Sequence, residues 1–133
     1  SLNILTVNAM VAADGVVVPL QSEFFALEGL SQLMLTIREI RETANAKLRI
    51  EGVVLTMYDK RNNLSQQVEA DARDNLGDLV FKTMIPRNIR LSEAPSFAAP
   101  VLTYDSQSKG STAYRALAQE LILNDGKRKN KVA

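Results

Sequence analysis

Gly15-Val16-Val17-Val18-Pro19-Leu20 is a continuous β-branched run closed by a proline. Such a run has no polar face, so it reads as a strand covered on both sides, the condition of a strand in a parallel sheet. A parallel neighbour requires a crossover, and the next residues supply one. Leu27, Leu30, Leu33, Met34, Ile37 and Ile40 recur at helical spacing between Phe24 and Ala46, with Arg38, Glu39, Arg41 and Glu42 largely between them. Ile50 to Tyr58 reads as the second strand, with Gly52 allowing close packing near its start. Leu64 to Leu76 reads as a helix that Asn63 or Ser65 can cap and Gly77 ends. Leu79 to Ile85 reads as a third strand, stopped at Pro86 because proline has no N–H for a ladder.

The flanks are read the same way. Ser1 to Ala13 is an apolar helix ending before Asp14-Gly15. A helical turn is expected at Leu91 to Ala94, a short strand at Val101-Leu102, and a last helix opening at Ser111 or Thr112 and ending before Gly126. Lys127-Arg128-Lys129-Asn130-Lys131 reads as a disordered tail. The expected fold is α/β: a three-layer parallel sheet with flanking helices in one domain, residues 1–125, followed by the basic tail, 126–133. With so few strands, at least one buried-type strand should present an unpaired edge.

Composition narrows the chemistry. A chain of 133 residues that is 46% apolar suffices for one packed core. A net charge of +1 gives no general attraction to nucleic acid or anionic lipid, so any such binding needs a local patch. Without His or Cys there is no disulfide frame, no thiolate and no imidazole base, and a cytoplasmic protein fits best. No apolar run reaches the roughly 18 residues of a membrane span. There is no glycine-rich phosphate loop, Gly-x-Gly-x-x-Gly or Gly-x-Ser-x-Gly, and the pairs Glu39/Glu42 and Glu69/Asp71 read as solvated helix faces.

What remains is cationic. Lys60 and Arg61 follow the second strand, and Arg87 and Arg90 follow the third. Both loops therefore leave the carboxyl ends of neighbouring strands, the edge where open α/β sheets bind ligands. Spacing leaves two readings: one patch for phosphate oxygens, or local pairing of these cations with Asp59 and Glu93. No aromatics are interleaved, so a patch would grip duplex backbone rather than stack on single strands. The basic tail reads as a solvated end, an electrostatic tether or, least of all, a membrane element.

Leu5-Thr6-Val7-Asn8-Ala9-Met10, the block from Val18-Pro19-Leu20-Gln21-Ser22-Glu23 to Leu30, Gly52-Val53-Val54-Leu55-Thr56-Met57-Tyr58-Asp59, and Ile85-Pro86-Arg87-Asn88-Ile89-Arg90-Leu91-Ser92-Glu93-Ala94-Pro95-Ser96 stand in an order that carries a resemblance. They resemble the carboxyl-terminal half of ParA/Soj-type chromosome and plasmid partitioning ATPases, a deviant Walker P-loop family, from the first residues to about Asn124. The resemblance implies a partial P-loop NTPase fold lacking the phosphate-loop half. It implies nonspecific DNA contacts at Arg61 and Arg90, with Lys60 and Arg87 as neighbours, and an adenine wall at Thr56, Met57, Ile85, Pro86 and Arg87. For the whole family it implies ATP with Mg²⁺, a dimer, a ParB-like centromere-binding partner and a nucleoid-associated location, without a membrane. The family's phosphate loop, catalytic aspartate and Asp-x-Pro-Pro segment lie upstream of the equivalent of Ser1. ATP binding or hydrolysis by this chain alone is therefore not expected, and its expected contacts are a second copy or the missing amino-terminal half. The other reading is a standalone, non-catalytic module that binds ParA-like partners.

Overall fold

The computed structural model describes residues 3–132. Ser1 and Leu2, at the start of the expected first helix, and Ala133, at the end of the tail, lie outside them. Helix α1 (Ile4–Ala12) is opened by Asn3, whose side chain accepts the Thr6 N–H. Strand β1 (Gly15–Gln21), helix α2 (Ala26–Thr43) and strand β2 (Arg49–Thr56) follow as one crossover unit, with β1 and β2 parallel. Helix α3 (Asn63–Leu76) is capped by Asn62 and ends at Gly77, whose φ of 55° lies in the left-handed region that glycine reaches without Cβ strain.

The expected third strand is present only in part. Parallel bridges join Val53 to Val80 and Tyr58 to Pro86, but no continuous ladder connects them. The Phe81 N–H reaches Val53 O at 2.9 Å, and the N–H that reaches Leu55 O is that of Ile85, at 2.8 Å. Regular parallel pairing would bring Thr83 there, two residues earlier. The segment therefore leaves the sheet at Lys82 and returns at Ile85.

Two layers of helix cover this sheet. On one face Val18, Leu20, Val53, Leu55 and Val80 pack with Leu30 of α2 and with Val68 and Ala72 of α3. On the other, Val54, Phe81 and Ile85 pack against Ala113, Leu117 and Leu121 of the last helix, α6 (Lys109–Val132). Met10 seats α1 against Ile37, Ile40 and Leu48. The three-layer α/β reading holds. Apolar alternation across Val53, Val54 and Leu55 explains why: consecutive side chains serve opposite layers.

Three local expectations change. Val101-Leu102 is not a strand but part of a short helix, α5 (Val101–Tyr104), because Pro100 fits just ahead of a first turn. Helix α6 starts at Lys109 rather than at Ser111 or Thr112, with the Ser108 hydroxyl accepting the Ser111 N–H. The helix also runs through Gly126 and the basic stretch instead of yielding a disordered tail. Cations suit a helix carboxyl end, and Arg128 is held by Asp125 and by Glu51 of β2.

Gly52 is a packing requirement. A Cβ there would stand 2.5 Å from the Phe81 ring, itself only 2% exposed. Gly52→Ala is expected to lower unfolding stability by about 1–3 kcal/mol through overpacking. Urea midpoints of the variant, and of the same variant carrying Phe81→Leu, should show the loss and its partial recovery.

Candidate functional site

The carboxyl ends of β2 and of the Val80–Arg87 segment are stitched together. The Tyr58 N–H donates to Ile85 O at 3.1 Å and the Arg87 N–H to Tyr58 O at 3.0 Å. Continuing the ladder from Leu55 would use the Met57 N–H at the first of these places. Met57 is skipped and bulges outward, with φ of 53°. A left-handed methionine costs about 1–2 kcal/mol, and such strain gathers at ligand sites. Its side chain is exposed, and among the described residues no hydrogen bond uses its N–H or C=O. Thr56, Met57, Ile85, Pro86 and Arg87 thus lie side by side. Ile85 is buried, and Thr56 C=O is taken by the Ser22 N–H and hydroxyl.

The basic loops stand at this same edge. Arg61 is largely solvated, its side chain 85% exposed, and pairs with Asp59 at 3.2 Å. The Arg61 side chain, then its backbone N–H, hold the Asp59 carboxyl below its ordinary range, and Arg87 adds a smaller pull in the same direction. One carboxylate therefore feels cations from both loops. Arg90 lies on helix α4 (Ile89–Glu93), opened by Asn88, and reaches Glu93 at 3.0 Å and Asp105 at 3.3 Å. Among the described residues neither Lys60 nor Arg87 forms an ion pair. The local pairing with Asp59 and Glu93 is therefore present, but ion pairs with this much access to solvent are weak and can be exchanged for another anion.

The arginine-bearing turn is fixed from below. Leu91 packs where a side chain on Gly110 would go, 2.6 Å from an added Cβ, so the first turn of α6 carries α4 directly. Tyr104 stacks on Phe97 at 5.1 Å and donates its hydroxyl to Glu93 at 2.9 Å. That hydroxyl, followed by Arg90, holds the Glu93 carboxyl low. A lowered carboxyl stabilises the fold above the ordinary carboxylate range, and the contribution is lost as pH falls through the lowered value. Tyr104→Phe is expected to move the Glu93 titration upward, toward the ordinary value, in a carboxyl NMR titration. An unmoved titration would remove Tyr104 as the cause.

One residue that shapes this edge from behind it has no signal in the sequence. Glu120 of α6 accepts the Lys82 N–H at 2.8 Å, the Thr83 N–H at 2.9 Å and the Thr83 hydroxyl at 2.9 Å. Those are the donors that leave the sheet when the segment departs from β2, and the carboxylate stands in for the missing strand. Glu120 thereby sets where Ile85, Pro86 and Arg87 re-enter.

Comparison with known proteins bears on the fold. An AAA domain family model matches residues 1–50. A cobyrinic acid a,c-diamide synthase from Mycobacterium smegmatis, solved with bound ADP and magnesium, matches with a TM-score of 0.71 and 34% identity, covering 92% of this chain and 43% of that one. The architecture is part of the P-loop NTPase fold. Chromosome partitioning protein ParA of Caulobacter vibrioides is 60% identical over 133 residues, 100% of this chain and 50% of the relative. Sporulation initiation inhibitor protein Soj of Bacillus subtilis is 51% identical over 124 residues, 93% of this chain and 49% of the relative. The chain is thus similar to ParA and Soj proteins over nearly its whole length, and it spans about half the length of the curated relatives it matches.

No helix among the described residues is long and apolar enough to cross a membrane, and no group of three or more of their acidic side chains could hold a metal ion.

Proposed function

We propose that this chain supplies the DNA-contacting edge and the adenine wall of a ParA-type partitioning ATPase. The observation that carries the proposal is the stitching of Tyr58 to Ile85 and Arg87, which sets the loops bearing Lys60 and Arg61 and those bearing Arg87 and Arg90 on one sheet edge. Guanidinium groups paired with carboxylates that keep partial contact with solvent can turn to phosphate oxygens without leaving a fully buried charge behind. Binding of this kind reads backbone and not base sequence.

For the nucleotide, the residues present fit one end only. The unbonded Met57 peptide groups and the apolar Ile85-Pro86 step suit an adenine edge, whereas no phosphate loop or metal-binding carboxylate cluster occurs among the described residues. A bound ATP with Mg²⁺ supplies the phosphoryl chemistry of such ATPases, and this chain would hold its base and not its phosphates. Strand β1 supports a further contact. Its alternation from the Ser22 N–H, which bonds Thr56 O, directs Val17 and Gln21 to the free edge with Pro19 between them. That edge suits the phosphate-loop strand of a longer relative or a second copy of the chain. A ParB-like partner and nucleoid association follow from the same proposal.

The test is fluorescence anisotropy with two unrelated duplexes of equal length. The expected result is equal affinity for both and a steep fall with added salt. Sequence preference, or binding indifferent to salt, contradicts the proposal.

A further inference from the structure

A second cationic recess lies at the opposite end of the sheet. Its floor is the amino end of β2, and its walls are the end of α3 with Gly77-Asp78 on one side and α6 on the other, enclosing about 1130 Å³. Six basic side chains line it against three acidic ones, and two of the six, Arg73 and Arg128, are also paired with Glu69 and Asp125 just outside the lining.

The acids there are largely committed. Glu51 is held by Arg49 at 2.8 Å and by Arg128 at 2.8 Å. Glu120 is occupied by the N–H groups of Lys82 and Thr83. Asp78 remains, in the single turn of 3-10 helix after α3. The ammonium groups of Lys82, Lys127 and Lys131 form no ion pair among the described residues. Lys127 and Lys131 are one helical turn apart on α6, and Lys82 comes from the segment that Glu120 pins across from them. Three mobile point charges from two elements around a recess suit an anion whose charge is spread over several groups.

We infer that this recess is a binding site for a compact anion bearing two or more phosphate groups. It lies on the β2 side of the sheet, away from the free edge of β1, so pairing at that edge leaves it open. The inference does not depend on the DNA-contacting edge, which lies at the carboxyl ends of the strands.

Isothermal titration of the chain with inorganic tripolyphosphate at low salt tests it. One equivalent is expected to bind, with affinity lowered about tenfold or more in the Lys82→Ala/Lys127→Ala variant and unchanged in Arg61→Ala/Arg90→Ala. Both lysines are exposed, and Lys131→Ala alone should give a smaller loss in the same direction. Equal binding by wild type and the lysine variants overturns the inference. So does loss confined to the arginine variant, which would place the anion at the DNA-contacting edge. If the lysine changes lower duplex affinity and leave tripolyphosphate binding intact, the recess belongs to DNA and the inference fails while the proposed function stands.

Discussion

Replacing Arg61 and Arg90 together by alanine is expected to weaken binding to duplex DNA by about 10–100-fold at low salt and to reduce the slope of log affinity against log salt by about 2. Each guanidinium that meets a phosphate releases roughly one condensed cation, so the slope counts contacts independently of the absolute affinity. The ion pairs with Asp59 and Glu93 compete, but they are partly solvated and monovalent, and a duplex presents many phosphates within reach. Neutralising the competitors should therefore act in the opposite direction. Asp59→Asn with Glu93→Gln is expected to strengthen binding, provided the turn keeps its shape. Both arginine side chains are at least half solvated or nearly so, which keeps their removal from disturbing the core.

Glu120→Ala is expected to cost about 2–3 kcal/mol of stability, because one carboxylate accepts two backbone N–H groups and a hydroxyl. Water can reach Lys82, which keeps the cost below that of three fully buried donors left unpaired. The sharper readout is local. Amide exchange at Lys82 and Thr83 should accelerate much more than at Val53 or Leu55, and the Ile85 and Arg87 amides should follow because their re-entry point is no longer fixed. Glu120→Gln keeps one acceptor oxygen but loses the charge, and should fall between the two. Uniform acceleration across the sheet would mean that Glu120 only stabilises the fold and does not position the segment.

These two predictions differ in how far the sequence leads to them. The run Val16 to Leu20, the spacing from Leu27 to Ile40 and the glycine after Leu76 each have one physical solution, and the strands and helices are found where those signals put them. Arg61 and Arg90 are visible as cations after strand ends, so the edge they share is legible too. Their pairing with Asp59 and Glu93 was open in the sequence, since spacing of two and three residues permits contact without requiring it.

The third strand shows the opposite case. Val80 to Ile85 has strand composition, yet the register is set by Glu120, 37 residues away from Thr83, and by the bulge at Met57, neither of which has a local signature. Val101-Leu102 misleads because two β-prone residues after a proline serve equally well in a single helical turn. The continuation of α6 past Gly126 depends on Glu51 meeting Arg128 across 77 positions of chain. In each case a distant partner decides, and local propensity does not.

Titration of a short duplex of arbitrary sequence into the isotopically labelled chain, followed by amide NMR, locates the contact directly. The predicted shifts centre on residues 58–62 and 86–93 and diminish together as salt is raised. Shifts confined to other surfaces, with these two loops unmoved at saturating DNA, would contradict the assignment of this edge to the double helix.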